Sequence, residues 1–498
     1  MHIELGIWGG EDPLAVQGDA LAVLHFGEAF SPDLRRIDEA LGGALSDAWT
    51  RKLAYRRHGE DVVLAVSTLG RMPVRNVILL GTPEAPERRR LRTLFARGVR
   101  EAQAVGARDL VFWAEALYAA GFPAERVAEW LATSAYLSQY RFDEFRSEDV
   151  PRPAVESVRI APAKAGADEG LRRGQILGEA VNFARDLVQT PPNVLTPEAF
   201  CARAVEAAKE VGLRYAVLKR EDMESLGMGA LLAVAKGSAN EPRLVVLEYS
   251  GEPEWKDPLT FVGKGITFDT GGISLKPAQG MESMVMDMAG AATALAAILA
   301  AARLGVRRNL MAVLPMVENM PDGKAYRPGD VLRTMSGKTV EVISTDAEGR
   351  LILADAITYA RGRGAGEIVD IATLTGAVLV ALGTETTGAM ANDEELYARF
   401  AEAAGEEDER IWRLPAFDVY LERIRGRIAD LKNSGGRNAG TITAGMFLKQ
   451  FADPLPWLHL DIAGTAWDDE GSPLVPKGPT GVMVRSLVRL AVREAQGV

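Results

Sequence analysis

The sequence predicts an α/β protein in two parts, each a sheet layered with helices. Three observations carry that prediction. Short apolar runs alternate with helical patterns along most of the chain. Several runs are almost continuously apolar, as strands buried on both faces are. A Pro-, Ala- and charge-rich stretch at 147–170, SEDVPRPAVESVRIAPAKAGADEG, interrupts the alternation. It separates a smaller N-terminal α/β domain at 1–150 from a larger domain at 171–498, with 151–170 as a linker that includes an edge strand.

In the first part DALAVLHF (19–26), DVVLAVSTLG (61–70), NVILLG (76–81) and DLVFWAEA (109–116) read as strands. ERRRLRTLFARGVREAQAVG (87–106) reads as a helix, because Leu91, Leu94, Phe95 and Val99 form one apolar stripe. A helix over about 168–188 follows, then a turn at QTPPN (189–193). Thr196 and Pro197 suit the N-cap and first position of the next helix. Beyond residue 215 the strands are RLVVLEYS (243–250), LTFVGKGITF (259–268), NLMAVLPMV (309–317), TVEVIST (339–345), EIVDIATL (367–374) and WLHLDIAG (457–464). Helices between them imply a mostly parallel central sheet with right-handed crossovers. Such sheets place their sites at the carboxyl ends of the strands.

The bulk properties narrow the function. The 498 residues are 47% hydrophobic and 25% charged, enough for more than one core and against wholesale disorder. A net charge of −11 repels nucleic acid and anionic membranes on average, so neither is an expected partner. The single cysteine, Cys201, excludes a disulfide framework and any Cys-based metal cluster, and reads as the buried thiol of a cytoplasmic protein. MHIELGIWGGEDPLAV at the start lacks the pattern of a signal peptide. No apolar run reaches the roughly 18–20 residues that span a bilayer. AGAATALAAILAAARLG (289–305) reads instead as a packed helix. His2, His25, His58 and His459 are too scattered for a His-x-x-x-His site, so any metal ligands must be mostly carboxylates.

Four clusters in the second half sit at or after strand ends. In FVGKGITFDTGGISLKP (261–277), Lys264 lies inside an apolar strand of an arginine-rich chain. A buried lysine can lose its proton and offer its amine to a metal, whereas arginine cannot. Asp269 ends that strand, and Lys276 beyond the loop can face a developing oxyanion. The alternative is a lysine that snorkels at a strand edge. MESMVMDMAG (281–290) places Asp287 at a helix start. In STDAEGRLILADAI (344–357), Asp346 and Glu348 are two apart and would share one side of an extended segment. A divalent cation between them would relieve their repulsion, and Arg350 at the following helix start suits an anion. The alternative is a polar helix cap with solvated charges. TLTGAVLVALG (373–383) is a polar but uncharged strand–helix junction. Four carboxylates and one amine make about the set that two neighbouring divalent ions need.

Residues 261–277 and TDAEGRL (345–351) strongly resemble the leucine aminopeptidase family, the dinuclear-metal cytosol aminopeptidases. AYRPGDV (325–331), ADLKNSGGR (429–437) and HLDIAGTAW (459–467) resemble further family segments in family order. The resemblance covers roughly 170–498. It implies a small N-terminal domain, a catalytic α/β domain at 171–498, and a homohexamer that removes N-terminal residues, preferably leucine or other apolar ones, from peptides. Lys264, Asp269, Asp287 and Glu348 would hold one metal. Asp269, Asp346 and Glu348, with the Asp346 carbonyl, would hold the other. The metals would be manganese or zinc, with magnesium and cobalt as further candidates. Lys276 and Arg350 match the two catalytic positions, with a bicarbonate at Arg350. Met284, Thr373, Leu374 and Gly376 match positions that bind substrate. One departure is Ser344, where the family usually carries Asn, so the support around Asp346 is expected to differ.

Two other features of the sequence point elsewhere. Some relatives bind DNA as architectural factors, and ERRRLRTLFARGVR (87–100) is the one suggestive run; given the acidic total, a solvated charged face opposite the Leu/Phe stripe explains it better. VGKG (262–265) and SGGRNAG (434–440) are Gly-rich but match neither a P-loop nor a dinucleotide fingerprint. SGGRNAG reads as a mobile loop or, by the resemblance, as a border of the cleft.

Overall fold

The computed structural model describes residues 2–27, 29–55, 61–82, 87–148 and 153–496. His58 and positions 149–152 of the interrupting stretch lie outside the described residues. The chain forms two compact units, Met1–Asn182 with Glu470–Pro476, and Phe183–Asp469 with Lys477–Val498.

The first unit holds a six-stranded sheet in the order Glu4–Ile7, Ser157–Ala161, Asp109–Trp113, Ala20–Phe26, Asn76–Thr82, Val62–Ser67. All neighbours are parallel except the last pair. The edge strand expected within 151–170 is an interior strand, paired on both sides. Its Val158 and Ile160 are fully buried, and the intervening Arg159 pairs with Asp109. The run DLVFWAEA is strand only to Trp113, and Glu115 opens the short helix Glu115–Ala119. On the basic helix Arg88–Ala104 the expected stripe of Leu91, Leu94, Phe95 and Val99 is fully buried. Arg92 is buried as well, its guanidinium 5.9 Å from the Trp130 ring centroid, so this charge serves packing.

The second unit is built on a larger sheet ordered Ile411–Arg413, Thr387–Ala391, Trp457–Asp461, Glu367–Ala372, Leu259–Gly263, Leu310–Asn319, Arg243–Tyr249, Arg214–Leu218. The middle four strands are parallel, with antiparallel neighbours on each side. LTFVGKGITF is two strands, Leu259–Gly263 and Gly265–Asp269, broken at Lys264. Glycine flanks the break because the backbone is crowded there. A Cβ on Gly263 would lie 2.5 Å from Ala291 Cα, and one on Gly265 would lie 2.4 Å from the Pro315 carbonyl oxygen. TVEVIST is not a strand of this sheet. Only Thr339–Glu341 is extended, in a small sheet with Val331–Arg333 and Leu431–Lys432. Val340 and Val342 are fully buried and reach the core, while Ile343 beyond them is 44% exposed.

Helix Ala289–Leu304 packs on the middle strands, and its residues 289–301 are all buried. With the preceding turn it forms a stretch, Met281–Leu304, long and apolar enough to cross a membrane by length and composition, yet 83% of its most apolar window is buried inside the fold. Alanine and glycine let it sit unusually close: a Cβ on Gly290 would lie 2.1 Å from the Ile371 carbonyl oxygen. On the opposite side, helix Gly349–Gly362 is anchored by Asp355. That carboxylate accepts from the N–H groups of Ala230 (3.0 Å), Leu231 (2.9 Å) and Met335 (2.8 Å). Cys201 is buried, and burial raises its thiol pKa, which keeps it unreactive.

Candidate active site

The parallel strands end together, and their last residues carry the polar groups. Lys264 follows Leu259–Gly263, Asp269 closes Gly265–Asp269, Asn319 closes Leu310–Asn319, and Thr373 follows Glu367–Ala372. Asp287 lies on the 3-10 turn Met281–Met288, just before the buried helix. Asp346 lies in a turn and Glu348 caps helix Gly349–Gly362, so the two are not in the extended segment the sequence suggested. The turn still directs both inward: carboxylate oxygens of Asp269, Asp346 and Glu348 lie within 4.8 Å of one another.

Two lysines lace these carboxylates. The Lys264 ammonium is 2.7 Å from Asp287 and 2.9 Å from Glu348, and it also donates to the Thr373 carbonyl at 2.9 Å. At 2% exposure it is enclosed, which excludes a snorkelling edge lysine. Lys276 is 2.8 Å from Asp269 and contacts Asp346 as well. Asp287 Oδ2 and Glu348 Oε2 are buried without a hydrogen-bond partner among the described residues. Buried carboxylate oxygens in that condition are costly unless something else binds them.

The electrostatics reflect crowding. Burial raises Asp269 to about 6, with repulsion from Glu348 adding to it. Burial lifts Asp287 further, to about 8, against the pull of Lys264. Burial disfavours the Lys264 charge, but Asp287, Glu348 and Asp269 outweigh it and raise its pKa. Protein groups alone therefore hold Lys264 protonated, and the neutral amine expected from the sequence requires an added dication to displace the proton. Burial lowers Arg350 to about 10. Its Nη1 donates to the Asn433 carbonyl at 2.8 Å, while its buried Nε has no partner among the described residues.

The remaining expected residues lie on the turn that carries Asp287 and on the segment that follows strand Glu367–Ala372. Thr373 donates its hydroxyl to Asp287 at 2.7 Å. Leu374 N–H donates to Asp461 at 3.1 Å, and Thr375 donates its hydroxyl to the same carboxylate at 2.6 Å. Gly376 opens helix Gly376–Leu382, and Met284 is half-buried on the turn that carries Asp287. At position 344 the Ser344 hydroxyl accepts from the Asp346 N–H at 3.2 Å. His459 is buried against Asp370 at 2.6 Å.

Sequence reasoning missed three supporting residues. Asn319 donates one amide group to Asp269 (2.8 Å) and to the Thr345 carbonyl (2.9 Å). Tyr326 donates its hydroxyl to the same carbonyl at 2.7 Å. Asn433, fully buried, holds the turn before Glu348. A polar Glu-Asn pair ending the apolar run NLMAVLPMV was the available signal for Asn319.

The catalytic-domain model of the cytosol aminopeptidase family matches residues 182–488, and the family's N-terminal-domain model matches 22–149. The chain belongs to the cytosol aminopeptidase family. It is thus a peptidase of the hydrolase class. A probable cytosol aminopeptidase of Syntrophotalea carbinolica is 45% identical over 475 residues, covering 93% of this chain and 94% of that protein. One from Geobacter sulfurreducens is 44% identical over 463 residues, covering 91% and 92%. Among solved structures, a mutant of tomato leucine aminopeptidase superposes with a TM-score of 0.87 at 32% identity, covering 99% of this chain and 96% of that one. The bottromycin maturation enzyme BotP in complex with Mn gives 0.85 at 34% identity, covering 96% and 100%.

Proposed function

We propose that this chain is a metal-dependent aminopeptidase that removes N-terminal residues, preferably leucine or other apolar ones, from peptides. The observation that carries the reading is the convergence of Lys264, Asp269, Asp287, Asp346 and Glu348 from separate segments, with Asp287 Oδ2 and Glu348 Oε2 buried and unpartnered. That donor set fits two divalent ions, manganese or zinc above all, with magnesium and cobalt as further candidates. Lys264, Asp269, Asp287 and Glu348 would hold one ion, and Asp269, Asp346 and Glu348 the other. Arg350, whose buried Nε lacks a partner among the described residues, fits a bicarbonate. When bound, the ions supply Lewis acidity and an activated water, and the bicarbonate a proton acceptor and donor.

The chain's own residues do the rest. Lys276, charged and partly exposed beside Asp269 and Asp346, would stabilise negative charge growing on the scissile carbonyl oxygen. Arg350 orients the anion. Met284, Thr373, Leu374 and Gly376 form the rim that receives the first side chain, with Asp461 fixing its backbone. The test is hydrolysis of leucine p-nitroanilide by the full chain. Activity should vanish with a chelator and return with manganese, zinc or cobalt; turnover indifferent to chelation ends this reading.

The same reading makes the protein a cytoplasmic homohexamer. Support comes from large apolar side chains left exposed on the second unit: Val380 (91%), Trp412 (64%), Phe417 (66%) and Val419 (67%). Sedimentation should return the mass of six chains, and a monomer at micromolar concentration would remove the proposal.

A further inference from the structure

We infer that Asn433 is a positioning residue that fixes the turn bearing Asp346 and the guanidinium of Arg350 to one another. The inference rests on the two-metal reading above, in which these two groups serve different parts of the reaction.

Asn433 is fully buried, and every hydrogen-bonding position of its side chain is used. Its Oδ1 accepts from the N–H groups of Ile343 (2.7 Å) and Ser344 (3.3 Å). Its Nδ2 donates to the carbonyls of Ser344 (2.6 Å) and Ala347 (3.3 Å). One amide from a segment about ninety positions away in sequence therefore brackets the turn on both sides of Asp346. Its own N–H donates to the Glu341 carbonyl at 3.1 Å, anchoring it to the small sheet. Its own carbonyl accepts from Arg350 Nη1 at 2.8 Å.

The turn has a second set of ties, and the contrast defines what Asn433 adds. Thr345 is held by Gly271, Ser274, Asn319 and Tyr326. Those bonds fix the turn to the loop after Asp269 and to the end of strand Leu310–Asn319 and the segment beyond it, and none reaches Arg350. Asp346 itself has 39% of its side chain exposed, so packing alone does not hold it. Asn433 is the group whose side chain grips the carboxylate's turn while its carbonyl grips the guanidinium. A shift of this residue moves both, which links ion retention on one side to anion orientation on the other.

The test uses the full chain with manganese as probe. Asn433→Ala removes the bracket. Asn433→Asp keeps size and the two accepting bonds but sets an oxygen against the Ser344 and Ala347 carbonyls. Either variant should weaken uptake of one of the two ions by about 10–100-fold, the usual range for groups that orient ligands. At saturating manganese kcat should stay depressed about tenfold or more with KM little changed, because the main-chain carbonyl that holds Arg350 is no longer registered with the turn, and metal does not restore that register. Combining Asn433→Asp with Arg350→Lys should cost less than the product of the single losses. A purely structural role would lower thermal stability and leave manganese affinity and saturated kcat at wild-type values. That result overturns the inference, and Asn433→Asp decides it if Asn433→Ala does not fold. Wild-type protein that takes up no manganese, or cleaves no leucine p-nitroanilide, defeats instead the reading on which the inference rests.

Discussion

Lys276→Ala is expected to take up its full complement of divalent ions and yet lose about 10²–10³-fold in kcat, the range seen when a preorganised donor to a developing oxyanion is removed. The side chain is 22% exposed, extends from the loop after Asp269, and meets Asp269 and Asp346. Removing it takes away a competing cation, so ion binding should be maintained or strengthened. The loss must then appear in the chemical step. Lys276→Arg is not expected to rescue, because a planar fork cannot replace a compact ammonium at the same point. Steady-state kinetics at saturating manganese, with elemental analysis of the same sample, measure both halves. Near-normal turnover at full metal content would remove the role assigned to Lys276.

Lys264→Met should have its largest effect on stability. In chelator-treated protein it leaves Asp287 and Glu348 buried without their cation, a change that costs roughly 3–5 kcal/mol. The sign of the pH dependence follows. Asp287 is already raised to about 8 in the fold, and losing Lys264 raises it further. The folded state then binds protons that the unfolded chain releases, so stability falls as pH rises from the ordinary carboxyl range, about 4, to beyond 8. Urea midpoints of chelated wild type and variant should therefore differ most near pH 9 and converge near pH 4. Equal midpoints at pH 9 would show that Lys264 does not carry the charge balance described here. Ion uptake by the variant should also fall, since one donor is gone.

Much of this centre was readable from residue types. Lys264 stood out because a lysine inside an apolar strand of an arginine-rich chain needs a reason, and Asp269, Asp287, Asp346 and Glu348 followed from the carboxyl-end rule. The α/β layering and the parallel middle strands were equally accessible, because double-sided burial leaves uninterrupted apolar runs. Tertiary context decided the rest. Asp346 and Glu348 face the same way through a turn and a helix cap, which spacing cannot distinguish from a strand. TVEVIST has strand composition, yet only three of its residues pair. Asn319, Tyr326 and Asn433 were invisible as a group, because each acts through carbonyls and N–H groups brought in from distant segments.

The contact at Gly290 has a consequence for how this protein can diverge. Helix and sheet meet there main chain to main chain, so the gap between Asp287 and Lys264 is set by atoms no substitution can trim. Any larger residue at 290 wedges the two layers apart and strains the Lys264–Asp287 contact. This part of the centre is thus a fixed gauge, and under the proposed reading diversification in what the enzyme accepts has to come from Met284 and residues 374–376 instead.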